Sequence, residues 1–256
     1  MASEREQTPT EGDQSPFGSA SLLLTSIRGG NAYEETVERL LQSIRLGLVQ
    51  PGERFPSERE LAAMLDVSRD TVRDATSSLA EAGFLDIRRG RYGGTFVSPN
   101  IAAVPKQGAS NQVAPPVASA DEIADLVVFR EVLETGAARA AATSELSSDM
   151  RDALWRAHIE TSYASPEDYR RLDSRLHLLI AEIAGSARLV GELASTRMRM
   201  NELLDHIPLL APNIGHSNQQ HEEIVSAILR GQADLAQMVM RDHIEGTAAL
   251  LRGFLG

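Results

Sequence analysis

Residues 55–97, FPSERELAAMLDVSRDTVRDATSSLAEAGFLDIRRGRYGGTFV, form the segment that decides the fold of the N-terminal part of the chain. Ser57 and Glu60 have the spacing of a capping box, which predicts that a helix begins here. Ser68 is a suitable N-cap for the next helix, and Gly83 is a suitable end for it. Apolar residues on both sides of the glycine-rich turn that follows predict a two-stranded hairpin.

A further amphipathic helix is predicted immediately before this segment. Its apolar side chains recur at helical spacing, at Val37, Leu40, Leu41 and Ile44. Asn31 and Glu34 are suitably placed for an N-terminal cap, and Pro51 ends the helix. Three helices followed by a hairpin constitute a winged helix-turn-helix, and we predict this fold for residues 31–98.

The helix that begins after Ser68 carries two arginines on one face. Arg69 and Arg73 are four residues apart in its first turns, and winged helix-turn-helix folds place this helix in the major groove of DNA. The planar guanidinium group fits both guanine edges and phosphates. The alternative is an ordinary solvated face on which Asp70 and Asp74 balance the arginines, and the residue pattern alone leaves both interpretations open.

The same segment resembles the DNA-binding domain of the GntR family of bacterial transcription regulators. The motifs PSERELA, VSRDTVRDA, LAEAG and GRYGGTFV occur in the order typical of that family. The resemblance implies that double-stranded operator DNA is a partner, and that the residues contacting it are Arg59, Ser68, Arg69, Thr71, Arg73, Gly90 and Arg91. Asp70 lies at a position that varies among such regulators, so no operator sequence follows. Tyr92 replaces a glycine that is common at the tip of the wing.

The rest of the chain divides into a tail, a linker and a second domain. Residues 1–30 are predicted to be a disordered tail and lead-in, and residues 99–118, with four prolines, are predicted to be a linker. Residues 119–256 show about six helical segments and no credible strand, which predicts an antiparallel bundle. The expected fold class is therefore mostly α, with an N-terminal winged helix-turn-helix and a C-terminal all-α bundle.

Four residues of the second domain have spacings that suit a metal site. Asp173 and His177 are four residues apart on one predicted helix. His221 lies 10 residues before Gly231 and His243 lies 12 after it, so an antiparallel hairpin turning at Gly231 brings them level. Three imidazoles and a carboxylate suit a divalent transition metal, with zinc expected first and nickel, iron, manganese or cobalt as alternatives. Spacing alone does not separate this site from unrelated helical histidines.

The second domain is similar to the FCD effector domain of the FadR-like branch of the GntR family. The motifs DSRLH, HEEIVSAILRGQ and RDHIEG match its signature, as do Arg130 and Glu134. The resemblance implies that a divalent metal is held by Asp173, His177, His221 and His243, and that a small carboxylate effector completes its coordination. Arg130 either faces this effector or pairs with an acidic neighbour on the bundle.

Composition and charge exclude several classes of protein. The net charge of −11, of which −8 lies in residues 119–256, opposes nonspecific coating of nucleic acid. The chain contains no uninterrupted apolar stretch of about 18 residues, so we expect no membrane association. Cysteine is absent, which excludes disulfide and thiolate chemistry and is compatible with the predicted cytoplasmic location.

Two functions follow from these features. The first is a ligand-responsive transcription regulator that binds a palindromic operator as a homodimer. The alternative is a metal-dependent hydrolase that uses the Asp/His₃ site to activate water. No motif places a second carboxylate or another base beside the metal ligands, and Glu222 points away from its neighbour His221 on the helix, which opposes the enzyme.

Overall fold

The structure is a computed structural model that describes residues 24, 26–27, 30–45, 48–99 and 118–255. The described residues form nine helices and one two-stranded antiparallel sheet, and the predicted fold class is confirmed. The elements are α1 (Ala32–Arg45), α2 (Glu58–Leu65), α3 (Arg69–Glu81), β1 (Leu85–Arg88), β2 (Gly94–Val97), α4 (Ala120–Thr143), α5 (Ser148–Ser162), α6 (Pro166–Ile183), α7 (Ala187–Leu204), α8 (Ala211–Leu229) and α9 (Ala233–Leu255). Most of the predicted tail and linker lies outside the described residues.

Local sequence explains the helix-turn-helix. Ser57 and Glu60 form the predicted capping box at the start of α2. Asp66 has a φ of 57°, a left-handed conformation that ends α2 and turns the chain sharply toward α3. The Ser68 side chain accepts a hydrogen bond from the backbone nitrogen of Thr71 and caps α3, the predicted recognition helix.

The start of α1 differs from its predicted cap. The Asn31 side chain donates a 2.6 Å hydrogen bond to the carbonyl of Asp242 on α9. The Glu34 carboxylate accepts a 2.9 Å hydrogen bond from the amide nitrogen of Asn213 on α8. The prediction that the side chains of Asn31 and Glu34 form the cap is therefore wrong, because both side chains are hydrogen-bonded to the C-terminal helices instead.

The C-terminal domain is a bundle of six helices within the described residues 118–255. Helix α4 packs along α9, and it also contacts α6, α7 and α8. Helices α8 and α9 form an antiparallel hairpin that turns at Gly231, whose φ of 71° favours glycine. None of the described helices combines the length and the hydropathy needed to cross a bilayer.

The winged helix-turn-helix of residues 31–98, the predicted DNA-binding unit, shares a hydrophobic core with the bundle. Leu40 and Leu41 of α1 belong to the same buried cluster as Leu250 of α9. Two glycines of α9 allow α1 to approach closely, since a Cβ at Gly246 would lie 3.0 Å from Oδ1 of Asn31, and one at Gly253 would lie 3.0 Å from the Cα of Glu38. Helix α1 is therefore in van der Waals contact with α9.

Candidate metal centre and DNA-binding surface

The structure brings the four predicted metal ligands together. Asp173 and His177 lie on α6, His221 on α8 and His243 on α9, and one ligand atom from each lies within 4.8 Å of the others. The Nε2 atoms of His177 and His221 are 3.3 Å apart, and Oδ1 of Asp173 is 3.2 Å from Nε2 of His221. All three imidazole rings are buried.

The electrostatics of this cluster favour the protonation states that metal ligands require. Burial lowers the pKa of His177, and burial together with the neighbouring histidines holds the pKa of His243 well below its usual range. Burial opposes ionisation of Asp173, but the Arg197 guanidinium and His221 overcome it and hold the Asp173 pKa well below its usual value. Neutral imidazoles at His177 and His243 and an ionised carboxylate at Asp173 fit a divalent transition metal.

Buried charged side chains surround the candidate ligand His177. Oε2 of Glu134, on α4, contacts Nδ1 of His177 and fixes the orientation of that ring. Oε1 of Glu134 accepts a 2.7 Å hydrogen bond from Nε of Arg130 and lies 3.5 Å from Nη1 of Arg197. These contacts, together with burial, which opposes them, leave the pKa of Glu134 well below its usual range. Glu134 therefore stays charged next to the candidate ligand His177.

A cavity of about 50 Å³ lies beside the cluster. Three arginines are among the polar residues that line it, and the full polar set is Arg130, Tyr169, Arg170, Asp173, Arg197, Asn213, Ser217, His243 and Thr247. Nη1 of Arg130 is buried and has no hydrogen-bond partner in the described part of the chain. Arg130 pairs with Glu134 and also lines the cavity, and its contact with an effector stays a prediction.

The remaining histidines are not among the four candidate ligands. His158 packs beside Trp155 with ring centroids 5.3 Å apart, and His206 is exposed. His216 lies on α8, and its Nδ1 is 3.1 Å from Oε1 of Glu34 on α1. The link between His216 and the DNA-binding unit was not predicted, because it joins residues 182 positions apart.

The predicted DNA contacts lie where a partner can reach them. Six are exposed and Thr71 is partly buried; the exposed residues are Arg59, Ser68, Arg69, Arg73, Gly90 and Arg91. Arg73 forms a 2.8 Å ion pair with Asp70 and a 3.4 Å contact with Glu58, both near the surface. Surface pairs of this kind contribute little to stability, so a phosphate or a base can replace them.

The tip of the wing tolerates Tyr92. Gly90 has a φ of 100°, and its carbonyl accepts a 2.9 Å hydrogen bond from the nitrogen of Gly93, which closes the turn. The Tyr92 side chain is 84% exposed, and its ring centroid lies 5.8 Å from the guanidinium carbon of Arg91. The replacement of glycine by Tyr92 therefore leaves the wing hairpin intact.

Comparison with known proteins identifies both parts of the chain. Residues 32–97 match the family described as bacterial regulatory proteins, gntR family, and residues 125–246 match the FCD domain. This chain belongs to the GntR family of transcription regulators. The resemblance found in the sequence is thereby confirmed, and as a GntR regulator with an FCD domain the chain is a DNA-binding transcription regulator.

Relatives of this GntR regulator are similar over most of their length. The uxu operon transcriptional regulator of Escherichia coli K12 is 30% identical, over 87% of this chain and 87% of the relative. The HTH-type transcriptional repressor NanR of Salmonella arizonae is 29% identical, over 86% of this chain and 84% of that protein. A solved GntR structure from Streptococcus agalactiae has 25% identity and a TM-score of 0.44, over 84% of this chain and 98% of that one. The families and relatives are regulators and not enzymes, which rejects the hydrolase alternative.

Proposed function

We propose that this GntR regulator is a homodimer that senses a small carboxylate through a metal held in its FCD domain. The observation that carries the proposal is the joint position of the ligand cluster and the arginine-lined cavity. The cluster supplies neutral imidazoles and an ionised carboxylate, and the cavity beside it supplies positive charge. A site of this kind selects small anions over neutral compounds.

Asp173, His177, His221 and His243 would hold the metal, with zinc as the first expectation. When bound, the cation would add a Lewis-acidic positive charge at the wall of the cavity. Glu134 orients His177 from behind, and Arg197 keeps Asp173 ionised. These contacts would prepare the site before the metal arrives.

The effector is a small hydroxy acid or dicarboxylic acid. The cavity of about 50 Å³ favours a small molecule, and the unpartnered Nη1 of Arg130 offers a donor to its carboxylate. Tyr169 also lines the cavity, and burial together with nearby Asp173 raises the pKa of its phenol. The hydroxyl of Tyr169 therefore stays protonated and can donate to an effector oxygen.

The DNA site is an operator read by the recognition helix and the wing. Arg69 and Arg73 lie at the start of α3 with their guanidinium groups accessible, and Arg59 and Arg91 add charge from α2 and the wing. Ser68 and Thr71 lie beside them, and Gly90 shapes the tip of the wing. This regulator would act in the cytoplasm, on bacterial DNA.

The partner in the homodimer is a second copy that covers the outer face of α4 and α9. Large apolar side chains are exposed on these two antiparallel helices, at Val128, Phe129, Val132, Leu235 and Met238. Exposed apolar side chains grouped in this way are typical of protein interfaces. A two-fold symmetric dimer requires an operator with matching palindromic half-sites.

The test is a titration of small acids against labelled operator, selected from random DNA with the purified protein. Wild type should change its operator affinity about 5–150-fold with one hydroxy- or dicarboxylic acid, whereas neutral analogues should have no effect. Asp173→Ala should lose the response and keep its metal-independent affinity. A wild type that responds only to neutral ligands, or an Asp173→Ala variant that responds as well as wild type, would overturn this function.

A further inference from the structure

Two buried amide side chains connect the ligand cluster with the first helix of the DNA-binding unit. Gln220 lies next to His221 on α8, and its Oε1 is 3.3 Å from Nδ1 of His243. Nε2 of Gln220 donates a 3.1 Å hydrogen bond to Oδ1 of Asn31, which immediately precedes α1. Nδ2 of Asn31 donates a 2.6 Å hydrogen bond to the carbonyl of Asp242. Both amides are buried, so water does not compete for these contacts.

The Asp242 carbonyl fixes the direction of all these hydrogen bonds, because a carbonyl can only accept. The nitrogen of Asn31 must face this carbonyl, so its oxygen is left to accept from Gln220. The nitrogen of Gln220 is then committed to Asn31, and its oxygen must accept from Nδ1 of His243. His243 therefore carries its proton on Nδ1 and keeps the lone pair of Nε2 for a metal.

The other tautomer of His243 is incompatible with this arrangement. With the proton on Nε2, Nδ1 becomes an acceptor, and Gln220 must reverse its amide to donate to it. Asn31 must then reverse as well, and its oxygen faces the carbonyl of Asp242. Two buried acceptors would oppose each other, which weakens the attachment of Asn31 to α9.

We propose that Gln220 and Asn31 are positioning residues that couple the metal centre to α1, and through α1 to the whole DNA-binding unit. This inference rests on the metal-dependent function proposed above. When Nε2 of His243 is a ligand, its tautomer holds the hydrogen bonds in the direction that fastens Asn31. The coupling is reciprocal, so a well-placed Asn31 also favours the His243 tautomer that binds metal.

The packing around Asn31 makes small movements consequential. Oδ1 of Asn31 lies so close to α9 that a Cβ at Gly246 would approach it to 3.0 Å. Three residues further along α1, the buried Glu34 contacts His216 and Asn213 of α8. A shift of Asn31 therefore moves the N-terminal end of α1 relative to both helices that carry His221 and His243.

The experiment measures hydrogen–deuterium exchange in the full chain, with saturating Zn²⁺ and with EDTA. Zn²⁺ should slow amide exchange in α1 of wild type at least about 5-fold, the lower end of typical coupling. Gln220→Leu keeps a similar volume but removes both hydrogen bonds, so α1 should stop responding to Zn²⁺ even when the site is saturated. Gln219→Leu, at an exposed neighbour on the same helix, is the matched control and should respond as wild type does.

Zn²⁺ affinity, measured by competition with a chelator, provides the second readout. Gln220→Leu should weaken binding about 10–100-fold, as loss of a contact behind a metal ligand usually does. Asn31→Ala removes the same connection from the α1 side without contacting a metal ligand, and it answers the question if Gln220→Leu does not fold. It should lose the response of α1 and, because the coupling is reciprocal, weaken Zn²⁺ binding only by the coupling factor of about 5-fold.

Each contrary result has a distinct meaning. If wild type binds Zn²⁺ while the amide exchange of α1 stays unchanged, the coupling is overturned but the metal centre is still supported. A Zn²⁺-loaded Gln220→Leu or Asn31→Ala variant in which α1 responds as in wild type also overturns the coupling. A wild type that binds no Zn²⁺ overturns both this inference and the proposed function.

Discussion

Arg69 with Arg73, and Asp173 with His177, have the same four-residue spacing on a helix and opposite surroundings. Both arginines lie exposed at the start of α3, and the ion pairs of Arg73 with Asp70 and Glu58 lie near the surface. Asp173 and His177 are enclosed by Glu134 of α4, Arg197 of α7 and His221 of α8. Changes at the exposed pair should therefore alter binding with little effect on stability, whereas changes around the enclosed pair should lower the free energy of unfolding as well.

The largest expected effect comes from Glu134→Ala. This change leaves Arg130 and Arg197 buried without their shared carboxylate, and removal of one partner of a buried ion pair costs about 3–5 kcal/mol of unfolding free energy. Glu131→Ala on the same helix is the control, because its 2.9 Å pair with Arg241 lies near the surface and contributes about 0–1 kcal/mol. Urea denaturation of both variants measures the difference, and equal losses would contradict a buried charge network.

The next effect is stabilisation by metal. Zn²⁺ at about 100 times its dissociation constant should raise the unfolding free energy of wild type by about 2.7 kcal/mol, by mass action. His221→Ala should lose this increment, whereas His206→Ala, which changes an exposed histidine, should keep it. Thermal unfolding with Zn²⁺ and with EDTA checks the prediction. Unfolding of wild type that is indifferent to both would reject the metal centre.

Substitution of the exposed arginines should weaken operator binding with little change in stability. Arg69→Ala or Arg73→Ala should weaken operator binding by about 1–3 kcal/mol if the residue contacts a base, with unfolding free energy changed by no more than about 0.5 kcal/mol. Arg171→Ala, at an exposed arginine of α6, is the charge-matched control. Gel shifts at one fixed salt concentration measure the affinities. Unchanged affinity in the α3 variants would remove these arginines from the interface.

The smallest effect concerns the partly buried His216. Its hydrogen bond to Glu34 raises the His216 pKa against the opposing effect of burial, and Glu34 and Glu223 add attraction. At pH values below the ordinary histidine pKa of about 6.5, the contact therefore makes its full contribution to the free energy of unfolding. This contribution is lost as the pH rises through the higher pKa that His216 has in the folded protein. The excess stability of wild type over His216→Gln should be about 1 kcal/mol or less, and should shrink at alkaline pH. Denaturation across a pH series checks this, and a difference that grows with pH would have the wrong sign.

The proximity within each pair of candidate ligands could be predicted because local features determine it, whereas the meeting of the two pairs was implied only by the resemblance to the FCD domain. Asp173 and His177 share a helix face, and Gly231 marks the turn that brings His221 level with His243. The helix caps at Ser57 and Ser68 were equally local and were predicted correctly.

Other parts of the site depend on tertiary packing that no short sequence pattern predicts. Gln220 contacts Asn31 across 189 positions, and Arg197 approaches Asp173 from a different helix. The capping prediction for Asn31 failed for the same reason, because a tertiary contact satisfied that side chain instead. Glu134 did leave a signal, since its spacing from Arg130 is that of an ion pair on one helix face.

The close contact between α1 and α9 has a consequence for protein engineering. Regulators of this architecture invite the construction of chimeras in which the DNA-binding unit of one protein is fused to the sensor of another at the linker. In this chain such a junction would separate α1 from Leu250 and from the two glycines against which it packs. A functional biosensor built from this sensor must therefore keep this protein's own α1, which packs against the α9 surface around Gly246 and Gly253.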